Sequence, residues 1–175
     1  MPCPKRPPVR RIAAALIACG LVGVGAAAFF RSDSLLARAQ LGPERSDNVW
    51  GQLYQAKLVD TEDGWRAVIE NFPRAGDYYH NLAREGLLYY YLTKTQDYDK
   101  ALREAEELTS AAEPDFRTVG LAGQVVAYAH LGDDAQALYA NQQLDQEQRA
   151  ALNEQSPRMA QLLEQAYDEL VNREL

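Results

Sequence analysis

Between Ile12 and Phe30 the chain reads IAAALIACGLVGVGAAAFF, nineteen residues without a charge, and no other stretch restricts the fold as much. At about 1.5 Å of rise per helical residue it reaches roughly 28 Å, near the hydrocarbon thickness of a bilayer. Lys5, Arg6, Arg10 and Arg11 precede it and Arg31 and Asp33 follow it. Membrane segments are bracketed in this way and core helices are not. Because cations stay on the cytoplasmic side, residues 1–11 are expected inside, with everything after residue 30 periplasmic or otherwise extracytoplasmic. The expectation is a single-pass membrane protein.

Three fates of residues 12–30 remain open. A retained transmembrane anchor is the first expectation, since the run exceeds the roughly 7–15 apolar residues of a signal peptide. Ala26-Ala27-Ala28 offers the small-x-small pattern of a cleavage site. Leu16-Ile17-Ala18-Cys19-Gly20 resembles a bacterial lipobox, which would make Cys19 a lipidated N-terminus.

The charge is divided along the chain. Residues 1–30 hold four cations and no acid, so the net charge of −7 leaves −11 on residues 31–175. An acidic body without a basic patch lacks what a nucleic-acid surface requires, so no nucleic-acid partner is expected. Both cysteines, Cys3 and Cys19, lie ahead of residue 31, which leaves the body no disulfide and no thiolate metal site.

Pro43, Pro73, Pro114 and Pro157 punctuate the body, and the stretches between them have apolar residues at helical spacing. Val49, Trp50, Leu53, Tyr54 and Leu58 form one such set; Trp65, Val68, Ile69 and Phe72 another. Leu82 to Leu92, Leu102 to Leu108, Leu121 to Leu131 and Met159 to Leu170 continue the pattern. No alternating strand pattern competes, and the fold class is all-α. The polar turns at 60–63, 95–97 and 132–134 are short enough to fold successive helices back as antiparallel hairpins, with Asp97 and Asp133 as N-caps.

A small residue recurs in the second helix of each pair: Ala67 in GWRAVIENFP, Ala101 in DYDKALREAEEL and Ala137 in LGDDAQALYANQQL, with spacings of 34 and 36. Over residues 48–144 the chain resembles the tetratricopeptide-repeat family, whose unit is about 34 residues of helix–turn–helix. The stretch Asp97 to Ala101 carries the resemblance most closely, and Pro114 falls at a unit end. Trp65 to Pro73 is also similar to a phrase common in exported bacterial repeat proteins. Tyr89 and Val125 stand where the family has a small residue in its first helix, and no Trp falls in the family's register.

The resemblance implies a short solenoid of stacked hairpins that binds a protein or peptide partner without chemistry of its own. It places Gln52, Tyr90, Lys94 and His130 on the binding groove. The organisation read from the sequence is then a basic N-terminus at 1–11, an anchor or signal segment at 12–30 and a juxtamembrane linker at 31–47. Tetratricopeptide-like repeats follow at 48–144, and C-terminal helices packing on them at 145–175.

No catalytic constellation stands out, and neither a cofactor nor a metal is expected. His80 and His130 lie fifty residues apart. His130 is expected to pair with the helix end and the nearby Asp133. Tyr78-Tyr79 and Tyr89-Tyr90-Tyr91 occupy consecutive helical positions and so point different ways. Glu104, Glu106 and Glu107 are expected to form ion pairs with Lys100 and Arg103 on a solvated face. The function expected is a membrane-anchored protein–protein interaction module, a scaffold or adaptor. Two alternatives are a structural subunit of a homo- or hetero-oligomeric membrane complex, pairing through its C-terminal helix, and an exported lipoprotein.

Overall fold

The computed structural model describes residues 45–174. The segment 12–30, the Cys19 motif and the boundaries drawn before residue 45 lie outside the described residues. What is described is all-helical. Eight α-helices run in order: α1 Val49–Val59, α2 Glu62–Asn71, α3 Asp77–Tyr90, α4 Tyr98–Thr109, α5 Pro114–Leu131, α6 Asp134–Gln142, α7 Gln146–Gln155 and α8 Pro157–Glu174. A π-helical turn, Tyr91–Thr95, extends α3. Among the described residues no helix is long and apolar enough to cross a membrane.

Local chemistry fixes where the helices start. Asn48 accepts from the Gly51 amide at 2.9 Å and Thr61 from Gly64 at 3.2 Å, capping α1 and α2. Asp97 and Asp133, expected as caps, accept from Lys100 at 3.1 Å and Gln136 at 3.2 Å. Asp145 and Gln148 satisfy each other's backbone amides in a reciprocal capping box at the start of α7. Each such cap contributes about 1 kcal/mol by pairing an N–H that the helix itself leaves free.

From α1 to α6 each helix packs on the next, and α1 and α3 also touch the first helix of the following pair, α3 and α5 respectively. The last helix, α8, turns back onto α5, burying Met159, Leu163, Ala166 and Leu170. The shared core takes Leu87 and Leu88 from α3, Leu108 from α4, and Val125 and Val126 from α5. Ala67, Ala101 and Ala137, the recurring small residues, are all buried.

Two glycines mark close contacts between successive helices. A Cβ at Gly120 would lie 2.7 Å from both the Ala105 carbonyl oxygen and the Thr109 nitrogen, so α5 lies directly against the backbone of α4. A Cβ at Gly86 would overlap the indole of Trp65, so α3 meets α2 through that ring. In both cases the contact is with the preceding helix. Tyr89 and Val125 are not these contact points; Tyr89 is half-buried and Val125 sits in the core.

Two expected pairings are replaced. Glu104 and Glu107 reach across to Arg84 on α3, at 3.4 Å and 3.2 Å, instead of pairing along α4. The reason is position: the Glu104 side chain is only 12% exposed and faces the neighbouring helix. Lys100 turns instead to Glu62, 3.1 Å away on α2. His130 does not pair with Asp133 but stacks on Tyr98, with centroids 4.5 Å apart and planes 16° from parallel.

Candidate functional site

A cavity of about 700 Å³ opens where α1, α3 and the turn from α7 to α8 meet. The α2 residue that forms its floor is Trp65, and the glycine at 86 is what lets the indole lie there. Leu53 and Leu82 supply aliphatic wall, and Trp50, Tyr54 and Tyr89 supply aromatic wall and lip. Ser156, Pro157 and Arg158 close the far side. The volume falls in the range of sites that take a drug-sized group or a few residues of peptide.

One carboxyl group reaches this apolar wall. Glu85 accepts from the Ser156 hydroxyl at 3.4 Å. Burial pushes its carboxyl above the ordinary carboxylate range, and the Ser156 bond and the Lys57 charge offset only part of that. Burial, then the Glu85 charge, pushes the adjacent Tyr89 hydroxyl up as well. A half-desolvated carboxyl among rings holds a hydrogen-bond donor or a cation more strongly than a hydrated one would.

Two further charges at the cavity, Asp60 and Arg158, are engaged. Asp60 binds the Lys94 ammonium at 2.6 Å and accepts from the Trp65 indole N–H at 3.0 Å. Burial alone would raise its carboxyl, but those two donors win and hold it low. Asp60 has a φ of 47°, a left-handed conformation that these bonds help to fix. Arg158 donates to Thr93 at 2.9 Å and lies over the Tyr89 ring at 5.4 Å. Thr93 belongs to the π turn and is itself tied to the Tyr89 carbonyl at 2.7 Å.

Tyr91, the first residue of that turn, is fully buried, accepting from Arg66 at 3.2 Å with the Lys100 ammonium over its ring. Burial first, and then the Glu62 carboxylate, push its hydroxyl up to about 12. This network joins α2, α4 and the π turn.

The four groove residues expected from the sequence are scattered. Gln52 is fully buried, its Oε1 accepting from the Ser46 amide at 2.9 Å. Tyr90 and Lys94 come together, the ammonium 6.0 Å from the ring centroid, with Lys94 drawn to Asp60. His130 is exposed on α5 against Tyr98. None of the four lines the cavity. Glu85, the polar group of the cavity, carries no mark in the sequence: it reads as an ordinary helical acid, and the Ser156 hydroxyl that meets it lies 71 positions away. Trp50 and Tyr54 carried a signal, as aromatics at i, i+4 on a helix already apolar on its other face.

No histidine lines the cavity, and among the described residues no three His, Cys, Asp or Glu side chains gather as a metal site. His80 instead meets the Phe72 carbonyl through its ring nitrogen at 3.0 Å. The chain matches no protein-family model, and no curated protein or solved structure matches it.

Proposed function

We propose that this chain is a membrane-anchored protein–protein interaction module, a tetratricopeptide-like stack of helix pairs held outside the cytoplasm that docks a partner segment in the cavity over Trp65. The observation that carries this reading is the cavity itself. It combines an aromatic lip, an aliphatic wall and one desolvated carboxyl at Glu85, the pattern by which apolar sites orient a ligand through a few placed polar groups. Successive helix packing from α1 to α6 and the buried alanines at 67, 101 and 137 agree with a repeat stack. A tether on residues 12–30 would confine module and partner to one surface, so a modest intrinsic affinity suffices.

The structural-subunit alternative has less support. The apolar face of α8 that would pair copies, Met159 to Leu170, is spent on α5 of the same chain. Lipidation at Cys19 would replace the anchor without altering the cavity.

Photocrosslinking in cells separates these readings. A photoreactive residue at Tyr54, on the cavity lip and 66% exposed, should capture one defined partner protein, and capture should be lost with Glu85→Lys. The same probe at Tyr139 on α6, 62% exposed and away from the cavity, should not capture it. Capture only of the chain itself at Tyr54 would favour the subunit reading; equal capture at both positions would sink the cavity as the docking site.

A further inference from the structure

The cavity over Trp65 is walled by rings that are already held in place. Asp60 takes the Trp65 indole N–H at 3.0 Å, so the floor offers the ring and not its donor. Tyr79 braces Trp50 edge-on, with centroids 5.2 Å apart and planes at 87°, and itself stays outside the lining. Tyr54 and Tyr89 complete the aromatic wall. Aromatic faces carry the negative side of a quadrupole, so an enclosure of rings favours a cation over an uncharged group of the same shape. One of these rings already holds a cation: the Arg158 guanidinium lies 5.4 Å from the Tyr89 centroid.

The charges at the cavity act in the same sense. Asp60 is satisfied by Lys94, and Arg158 by Thr93 and the Tyr89 ring. Lys57 stands exposed at the rim without an ion pair among the described residues, and it acts on Glu85 through its charge alone. Glu85 is left with one hydroxyl donor, Ser156, at 3.4 Å on Oε1. Its Oε2 accepts from no described residue and stays accessible. The body as a whole adds to this, since residues 31–175 carry −11. A basic segment is drawn toward such a body through solvent and an acidic one is repelled.

We infer that the partner segment anchors in this cavity through a basic side chain, arginine or lysine, whose cationic head meets Glu85 among the four rings. The inference rests on the cavity being the docking site and adds the chemistry of its occupant. The incoming cation supplies the pairing that a carboxylate needs once it is withdrawn from water. Leu53 and Leu82 offer aliphatic wall to the stem. A guanidinium suits the head best, because it gives a carboxylate two parallel N–H bonds and also stacks on rings.

Small probes test this on the full chain in phosphatidylcholine nanodiscs, whose lipid adds no net charge. Butylguanidinium, butylurea and valerate share a butyl stem and differ in charge. Trp50 and Trp65, the chain's two tryptophans, both line the cavity and report occupancy by fluorescence. Butylguanidinium should bind about tenfold more tightly than butylurea. Glu85→Gln should bring it down to the butylurea level and leave butylurea unchanged. Equal affinity of cation and urea in the parent overturns the inference. Tighter binding of valerate also overturns it, by making Lys57 and Arg158 the selecting charges. A preference for butylguanidinium that survives Glu85→Gln overturns it as well, and so does fluorescence that none of the three probes perturbs. Photocrosslinking from Tyr54 tests the docking site separately. A captured segment with Arg or Lys beside the crosslink is the expected result. A captured segment with neither overturns the basic anchor and leaves the docking site standing, whereas no capture at all overturns the docking site and the inference that rests on it.

Discussion

Gly120→Ala sets two opposed effects against each other. In a helix interior Ala is favoured over Gly by about 1 kcal/mol, so on propensity alone the substitution stabilises α5. Against it, the new methyl would lie 2.7 Å from the Ala105 oxygen, 2.7 Å from the Thr109 nitrogen and 3.0 Å from the Leu108 carbonyl carbon. These are backbone atoms of α4, and none can rotate aside. Ordinary contact requires the two helices to part by several tenths of an ångström, which loosens the packing of Leu108, Ala105 and Leu88 in the same interface. Forced overpacking of this kind costs about 1–3 kcal/mol; because the atoms met are backbone that cannot give, the upper half of that range, about 2–3 kcal/mol, applies, and after the propensity gain of about 1 kcal/mol the net loss is about 1–2 kcal/mol. At roughly 3–5 °C per kcal/mol for a domain of this size, Tm should fall by about 3–10 °C. Thermal unfolding of the full chain in nanodiscs, followed by far-UV circular dichroism, measures it. Gly51→Ala is the control, because the added methyl meets chiefly the hydroxyl of Ser46, the end of a rotatable side chain. Its Tm should stay level or rise. If Gly120→Ala is as stable as the parent, α4 and α5 are not packed backbone to backbone and the order of helix contacts described above is wrong.

Other outcomes follow from the same structure. Glu85 has a raised pKa in the fold, so the stability linked to it is fully present below the unfolded carboxylate range and lost as pH rises through the folded value. Glu85→Gln should therefore raise Tm relative to the parent at neutral pH, with the advantage shrinking as pH is lowered through that range; a difference independent of pH would mean the carboxyl is hydrated. Asp145→Ala removes the capping box of α7 and should cost about 1 kcal/mol, read as a small drop in Tm with faster amide exchange confined to the first turn of α7. Cys19→Ala should leave membrane association intact if residues 12–30 span the bilayer, and should abolish incorporation of labelled fatty acid if Cys19 is lipidated; flotation and radiolabelling report the two.

How far the sequence reveals the fold can be read from individual residues. Helical spacing of Leu82 to Leu92 and of Leu121 to Leu131 located α3 and α5, because a helix buried on more than one side still repeats its apolar residues at that spacing. Asp97 and Asp133 were legible as caps since capping is local, decided within three residues. Arg84 bridging Glu104 was not legible, because which face of α4 meets α3 depends on the crossing of two helices. The π turn at Tyr91–Thr95 was equally hidden, its extra residue being held by Thr93 and by Arg158 from α8, 65 positions on. The cavity failed to show for the same reason. Its floor depends on Gly86 admitting the Trp65 ring and its polar group on Ser156 arriving from the C-terminal turn. Positions transferred from a family groove missed it, and Gln52 shows why: one helix rotated inward takes a groove position into the core.

Occupancy of the cavity in membranes of the cells that make the chain, where the proposed anchor would hold it, is the most direct measurement of the central claim. Since both native cysteines precede residue 31, Leu82→Cys places a single thiol on the cavity wall and Tyr139→Cys a single thiol on a distant exposed surface. Maleimide labelling, resolved by peptide mass spectrometry, is compared between native membranes and the purified chain in nanodiscs. Protection of Cys at position 82 in native membranes alone, with equal labelling at position 139 in both, is the expected result. Equal labelling at position 82 in both settings would contradict a partner docked in the cavity.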